Sequence, residues 1–472
     1  MASNEYSFDF SHPGNVSGGL QEQAALSDMP AFAEYYVDDE LLAIPFGNTL
    51  PSLLADWIDV AVASYFADRF AVRRIKLDGE RQHYHWGRVI RLKVGLRSPA
   101  AWRRKEVSST LSDLLGFITG DRWQFEFVEY GGQPRPAEVN VQAILFPLTG
   151  RTHVALYSGG LDSFSGLAQE MSANQAHQFV VVSGVTNSRQ QAGQRKQVRA
   201  IGQFVGQSPI HVTVPLRRSW REVQRPEEWS QRGRGFLFLT LGAATALAIK
   251  NQELFVFENG IGAINLPINA TQVGTYSSRA VNPLTLARME NFIRVLTGAS
   301  FKIQNPFLYR TKGEMCNNEV VAALASLVSE TFSCDGFPVR AHGCPQCGTC
   351  SSCVLRRISL LQANLIEHDR GYLIDVFDAT KTLTCDQQYV LRAMYWQARR
   401  IAECLGSINA WQALIRAFPM LAKIEDLLAA NRGQDRQLIR SSLLRLYEQY
   451  IDEWNEFQSR CSLFLEVGQR AA

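Results

Sequence analysis

At 472 residues the chain is longer than one ordinary core organises, so two or three structural units are expected. Hydrophobic residues make up 46% and charged residues 20%, which excludes a disordered or fibrous protein. Lys and Arg number 48 against 45 Asp and Glu, a net +3 that carries no nucleic-acid footprint and leaves an anionic small molecule as the compatible partner.

The opening stretch MASNEYSFDFSHPGN is acidic and lacks the basic-then-apolar plan of a secretory signal. No apolar run reaches the ~18–20 residues of a membrane span, so a cytoplasmic protein without membrane partners is expected. Residues 1–30, rich in Gly, Ser and Asn, read as a flexible arm. From 31 to 150 an N-terminal α+β unit is predicted, a candidate for partner docking. RVIRLKVGL (88–96), WQFEFVEY (123–130) and VNVQAILF (139–146) are its strands, and WRRKEVSSTLSDLLGFITG its helix.

From 151 to 370 the rhythm changes. HVALY (153–157), FVVVS (179–183), IHVTV (210–214) and LFVFE (254–258) are continuous apolar runs of strand length, separated by helical segments such as RGFLFLTLGAATALAIK. Strands of that kind are covered on both faces, which predicts an α/β doubly wound parallel sheet. The remainder, 371–472, is a helical unit: YVLRAMYWQARRIAECL, NAWQALIRAF and QLIRSSLLRLYEQYIDEWNEF all carry apolar residues at helical spacing.

The first strand of the wound sheet runs straight into Ser-Gly-Gly-Leu-Asp-Ser, 158–163, and then into a helix. Gly159 and Gly160 remove the Cβ atoms that would keep a phosphate off the backbone. Free amides at the helix start, from Leu161 onward, join the Ser158 and Ser163 hydroxyls as a cradle for oxyanions. A nucleotide phosphate fits there. The loop lacks the Gly-Lys-Ser/Thr ending of a Walker A motif and is not G-x-G-x-x-G; the plain alternative is a glycine-rich turn.

Nine cysteines are present, five of them at 334, 344, 347, 350 and 353. Thiolates at such spacing suit a closed structural Zn²⁺ site, and an iron–sulfur cluster is the competing use. Five sulfurs for four positions leave one over. At 257–269, FENGIGAINLPIN ends a strand at Glu258 on the carboxyl edge of the sheet. A carboxylate there can accept two N–H bonds from a guanine-like edge, with Asn259 or Asn265 serving a carbonyl; an Asn-Gly turn with a surface Glu is the plain alternative. Arg279, in SSRAVNP, is a candidate clamp for a substrate carboxylate, against the simpler reading of a surface arginine.

Ser-Gly-Gly-x-Asp-Ser after a buried strand resembles the PP-loop of ATP pyrophosphatases, which have HUP-like α/β folds. That resemblance implies ATP and Mg²⁺, a loop that grips the departing pyrophosphate, and Asp162 orienting phosphates or metal. With the cysteines and the CVLRR ending, the chain resembles the 7-cyano-7-deazaguanine synthase (QueC) family, PP-loop enzymes with a structural zinc. The resemblance assigns Cys334, Cys347, Cys350 and Cys353 as ligands, with Cys344 extra and able to replace Cys334. It also places Lys312, in NPFLYRTKGEM with Thr311 and Glu314, near the phosphates, and Asp162, Ser163 and Lys312 in catalysis. RGFLFLTLGAATA (233–245) is similar to the family's Arg-containing helix, without its Pro-x-Arg-Asn opening.

The likeness covers about 150–370. The longer plan resembles QueC-like proteins of antiphage defence operons. It implies that 7-carboxy-7-deazaguanine is adenylated and joined to the amino terminus of a partner protein from the same operon. The alternatives are nitrile synthesis with ammonia, a tRNA-modifying PP-loop enzyme, and an inactive nucleotide-binding scaffold.

Overall fold

The computed structural model describes residues 5–11, 20–26, 29–76, 82–84, 87–139, 145–148, 150–186, 188–220, 227–228, 230–268, 279–336, 346–378, 380 and 383–461. The strands are β1 Glu5–Phe10, β2 Leu20–Leu26, β3 Met29–Val37, β4 Arg74–Lys76, β5 Gln82–Tyr84, β6 Val89–Leu96, β7 Arg122–Glu129, β8 Thr152–Leu156, β9 Gln178–Val185, β10 Ile210–Trp220, β11 Glu253–Phe255 and β12 Lys302–Gln304. The N-terminal helices are α1 Ser52–Phe70, α2 Pro99–Trp102, α3 Lys105–Thr119 and α4 Pro136–Val139. The central ones are α5 Leu161–Ala173, α6 Ser188–Val205, α7 Arg234–Ala248, α8 Gly260–Ile264, α9 Pro283–Thr297, α10 Lys312–Cys316, α11 Glu319–Ala323 and α12 Ser351–Gln362. Four more, α13 Cys385–Leu405, α14 Ala410–Ala417, α15 Met420–Arg432 and α16 Arg436–Arg460, complete the chain.

Among the described residues, ten strands form one mixed sheet in the order β12-β11-β8-β9-β10-β3-β2-β1-β6-β7. The first five of that row are mutually parallel, as are β1, β6 and β7 at the far end. The antiparallel pair β2–β3 lies between them. The handover occurs on β10: residues 210–215 pair with β9, and 216–220 pair with β3. The stretches 31–150 and 151–370 therefore share one sheet rather than two.

Alternation along the parallel strands explains why they read as unbroken apolar runs. Val154, Val180, Val182, Val212 and Val214 face one core, built with α1, α7 and α9. Ala155, Tyr157, Phe179 and Val181 face the opposite core, built with α5 and α6. Both faces are dry, so both sets of positions are apolar. The strand order grows one way from β8 through β9 to β10 and then the other way through β11 and β12. This is the order of a wound sheet, with its reversal between β8 and β11.

Three further expectations, all in the N-terminal half, differ from the structure. Part of the arm expected at 1–30 is sheet: β1 runs parallel to β6 and buries Phe8 and Phe10, an alternation that EYSFDF already displays. The single helix expected from WRRKEV onward is two, because Arg104 takes φ −55 and ψ 130 between α2 and α3. The strand expected at 139–146 is not seen among the described residues there: Val139 closes α4, and the Leu145 and Phe146 amides both donate to the Pro45 carbonyl. The stretch 140–144 lies outside the described residues.

The helices α13–α16 form a core of their own, which also takes in Ile264, Leu266, Leu284, Val354 and Ile358. Among the described residues, no helix is long and apolar enough to cross a membrane.

Candidate functional site

The loop that leaves β8 opens at the reversal of strand order, where the crevice of a wound sheet lies. Gly159 has φ 81, and a Cβ on it would come within 3.0 Å of Gln194 Cγ. A Cβ on Gly160 would meet the Phe332 carbonyl at 3.1 Å. The loop is thus clasped between α6 and the segment leading to Cys334, and glycine is what fits. Gly160 is the N-cap of α5 and supplies no side-chain cap, so the first-turn amides keep their donor capacity. The Ser163 hydroxyl donates to the Gly160 carbonyl at 3.0 Å and lies 3.0 Å from Ser158 Oγ, which in turn accepts from the Gly160 amide at 3.2 Å.

Asp162, in the first turn of α5, faces two further loops. Its Oδ2 pairs with Lys312 Nζ at 2.6 Å, and its Oδ1 accepts from Asn259 Nδ2 at 2.8 Å. Asn259 is buried and caps α8: its Oδ1 accepts from the Gly262 amide at 2.9 Å, which turns its amide nitrogen toward both Asp162 and Glu258 Oε1, the latter at 3.0 Å. Burial, then the Asp162 charge, push the Glu258 carboxyl up to about 8, opposed by Lys312. Burial acts to lower the Lys312 pKa, but Asp162 and Glu258 outweigh it and raise it. Lys312 is therefore a fixed cation between two carboxyl groups.

Each partner is placed by local chemistry. Thr311 and Glu314 form a capping box, which sets Lys312 at the first position of α10. The Asn305 side chain accepts from the Glu258 amide at 3.4 Å and donates to the Glu258 carbonyl at 2.9 Å, tying the segment after β11, which ends at Phe255 rather than at the expected Glu258, to the chain after β12. The structure thus brings together Ser158, Gly159, Gly160, Leu161, Asp162, Ser163, Glu258, Asn259 and Lys312.

Two predicted residues are engaged elsewhere. Arg279 donates to the Phe117 carbonyl at 3.0 Å and stacks its guanidinium 4.8 Å over the Phe117 ring. Asn265 takes φ 49 as the C-cap of α8, a backbone role that asparagine tolerates. The residues that sequence reasoning missed are glutamines. Gln190 and Gln194 donate to the Ser158 carbonyl at 3.2 and 3.0 Å, and Gln197 accepts from the Tyr157 hydroxyl at 2.5 Å. Their spacing of 190, 194 and 197 marks one helix face and is visible in SRQQAGQRKQ.

The sulfurs of Cys334, Cys347, Cys350 and Cys353 all lie within 4.8 Å of one another. Cys347–Cys353 and Cys334–Cys350 measure 3.9 and 4.0 Å. A tetrahedron with Zn–S bonds of ~2.3 Å has edges of about 3.8 Å, so the cluster fits one ion such as zinc. Gly348, with φ 87, lets the knuckle lie against the Ile374 carbonyl, which a Cβ would meet at 1.8 Å. Cys344 lies outside the described residues. The centre is joined to the glycine loop, for the Phe332 amide donates to the Gly159 carbonyl at 3.3 Å and Gln197 donates to the Glu330 carbonyl at 2.9 Å.

Fold and site together define a mixed α/β protein. It has a five-stranded parallel wound sheet, a glycine loop at the reversal point, and a four-cysteine centre able to hold a metal ion. The sequence matches no protein-family model and no curated protein.

Proposed function

We propose that the chain is an ATP-dependent ligase of the PP-loop ATP pyrophosphatase type, similar to the QueC family. Its substrate would be 7-carboxy-7-deazaguanine, activated as an acyl-adenylate and passed to an amine. The proposed acceptor is the amino terminus of a partner protein from the same operon, in antiphage defence. One observation carries the reading: the Asp162 carboxylate, one turn beyond the two glycines, is held between Lys312 and Asn259 where three strand-end loops meet.

A free carboxylate is a poor acyl donor because oxide is a poor leaving group. In the proposed first step a substrate carboxylate oxygen bonds to the α-phosphorus of ATP, and the bond to the β-phosphate bridge breaks. The first-turn amides of 161–163 and Lys312 would take up charge on the departing pyrophosphate. Mg²⁺ brought with ATP would be held at Asp162 and supplies charge neutralisation. In the second step the amine nitrogen bonds to the acyl carbon, AMP leaves with the bonding pair, and the nitrogen loses a proton. In this reading Glu258 would accept hydrogen bonds from the base, and Asn259, whose amide donates to Asp162 and Glu258, would hold Glu258 in position. The cysteines would hold zinc and, through Phe332, keep the loop closed.

ATP–pyrophosphate exchange tests this. Exchange is expected only when 7-carboxy-7-deazaguanine is present. Exchange with tRNA instead would indicate a base-modifying enzyme, and none with either would indicate a scaffold. A deazaguanine-sized mass added to a co-expressed partner identifies the acceptor as protein, whereas an amide or nitrile product with ammonia identifies the synthase reaction.

A further inference from the structure

We infer that the last helix, α16, completes this site, with Glu453 acting as a positioning residue that fixes Lys312 against Asp162. The inference rests on the proposed reaction for its catalytic consequence, but the contacts stand apart from it. Glu453 is 3% exposed, and its carboxylate accepts a hydrogen bond from the Thr311 hydroxyl. That hydroxyl already accepts from the Glu314 amide at 3.0 Å, so its proton needs an acceptor, and Glu453 is the one it finds.

The fit is close enough to constrain the neighbouring residue. A Cβ on Gly313 would lie 2.5 Å from Glu453 Oε1, so the glycine beside Lys312 lets the carboxylate reach the backbone of α10. Two turns earlier on α16, Arg445 pairs with Glu314 at 2.6 Å and donates to the Tyr309 carbonyl. Leu446 Cδ2 lies 2.6 Å from where a Cβ on Gly260 would stand, at the first residue of α8. The turns that carry Asn259 and Lys312, the two partners of Asp162, therefore rest on the same helix. Residues 446, 449 and 453 recur at helical spacing, and Gln449 donates to Glu453 at 3.4 Å. Burial pushes the Glu453 carboxyl up to about 7, a cost that a purely apolar contact would avoid. A buried acid facing a hydroxyl at the cap of the lysine-bearing helix is explained by positioning.

The test uses the full chain and two readouts. Glu453→Ala should lower kcat of carboxylate-dependent exchange at least tenfold while KM for ATP stays within twofold, and hydrogen exchange at 311–316 should speed up. Glu453→Gln should keep both near wild type, because its amide oxygen accepts the same bond. Glu453→Asp, which keeps the charge but withdraws the oxygen by one methylene, should behave like the alanine variant. Gly313→Ala should also lower kcat, and combining it with Glu453→Ala should lower kcat no further than either change alone. Wild-type kcat and unchanged protection at 311–316 in Glu453→Ala or Glu453→Asp would overturn the inference. So would equal losses in Glu453→Gln and Glu453→Asp. If the wild-type protein shows no exchange, the functional reading falls, and amide protection alone decides the positioning claim.

Discussion

Two clusters of charge sit at opposite ends of the same sheet, and they are completed differently. At the N-terminal end, Arg88 is wholly buried and lies 2.5 Å from both Asp68 and Asp121, while Arg73 reaches Asp121 at 2.7 Å. The Asp68 carboxylate also accepts from the Gly233 amide at 2.8 Å, pinning the start of α7. Burial acts to raise Asp121, but bonds from Arg88 and Arg73 bring it below the usual carboxylate range. At the other end, Asp162, Glu258 and Lys312 are two acids against one cation, and Asn259 engages Glu258 through one oxygen only. The Glu258 carboxyl is held up near 8. A cluster whose charges are matched inside the protein holds the fold; one left short of partners has capacity for a ligand.

Breaking the matched cluster should give the largest effect. Arg88→Ala leaves the buried Asp68 and Asp121 carboxylates with Arg73 as their one remaining partner in this cluster and should cost about 3–5 kcal/mol in urea unfolding. At the unmatched cluster the loss should appear in rate rather than stability. Asp162→Asn should lower ATP–pyrophosphate exchange about 10²–10³-fold, with the melting midpoint unchanged. Unaltered exchange would remove the loop from the mechanism. Between these lies Cys350→Ser, which should reduce bound zinc and melting temperature together, measured by metal analysis and calorimetry.

The smallest effect sharpens the contrast through pH. If Glu258 binds the base as a carboxylate, affinity for 7-carboxy-7-deazaguanine by calorimetry should rise with pH up to about 8 and then level off, and Glu258→Gln should be flat. Stability runs the other way. A carboxyl raised from 4.5 to about 8 on folding contributes stability below 4.5 that is lost as pH rises through 8, so Glu258→Gln should melt above wild type at pH 9.

Much of the wound half was legible because its signals are local. A buried strand, two glycines, a hydroxyl and a helix are contiguous, and so are Cys347, Cys350 and Cys353. Thr311 with Glu314 was legible as a pattern, although its structural meaning is a capping box. What the sequence hides is non-local. Glu453 lies 142 positions from Thr311, and nothing in α16 marks it among the acids of an ordinary solvated helix. Arg279 looked like a ligand-facing arginine because no local feature shows that Phe117, on α3, is beneath it. The ten-strand sheet escaped for the same reason: β10 reads as one strand and only its partners reveal that it belongs to two halves.

The most direct measurement is a crystal structure of the protein with a non-hydrolysable ATP analogue and Mg²⁺. The β- and γ-phosphates are expected on the first-turn amides of 161–163, with Lys312 and Asp162 beside them. A triphosphate bound elsewhere, with that loop empty, would contradict it.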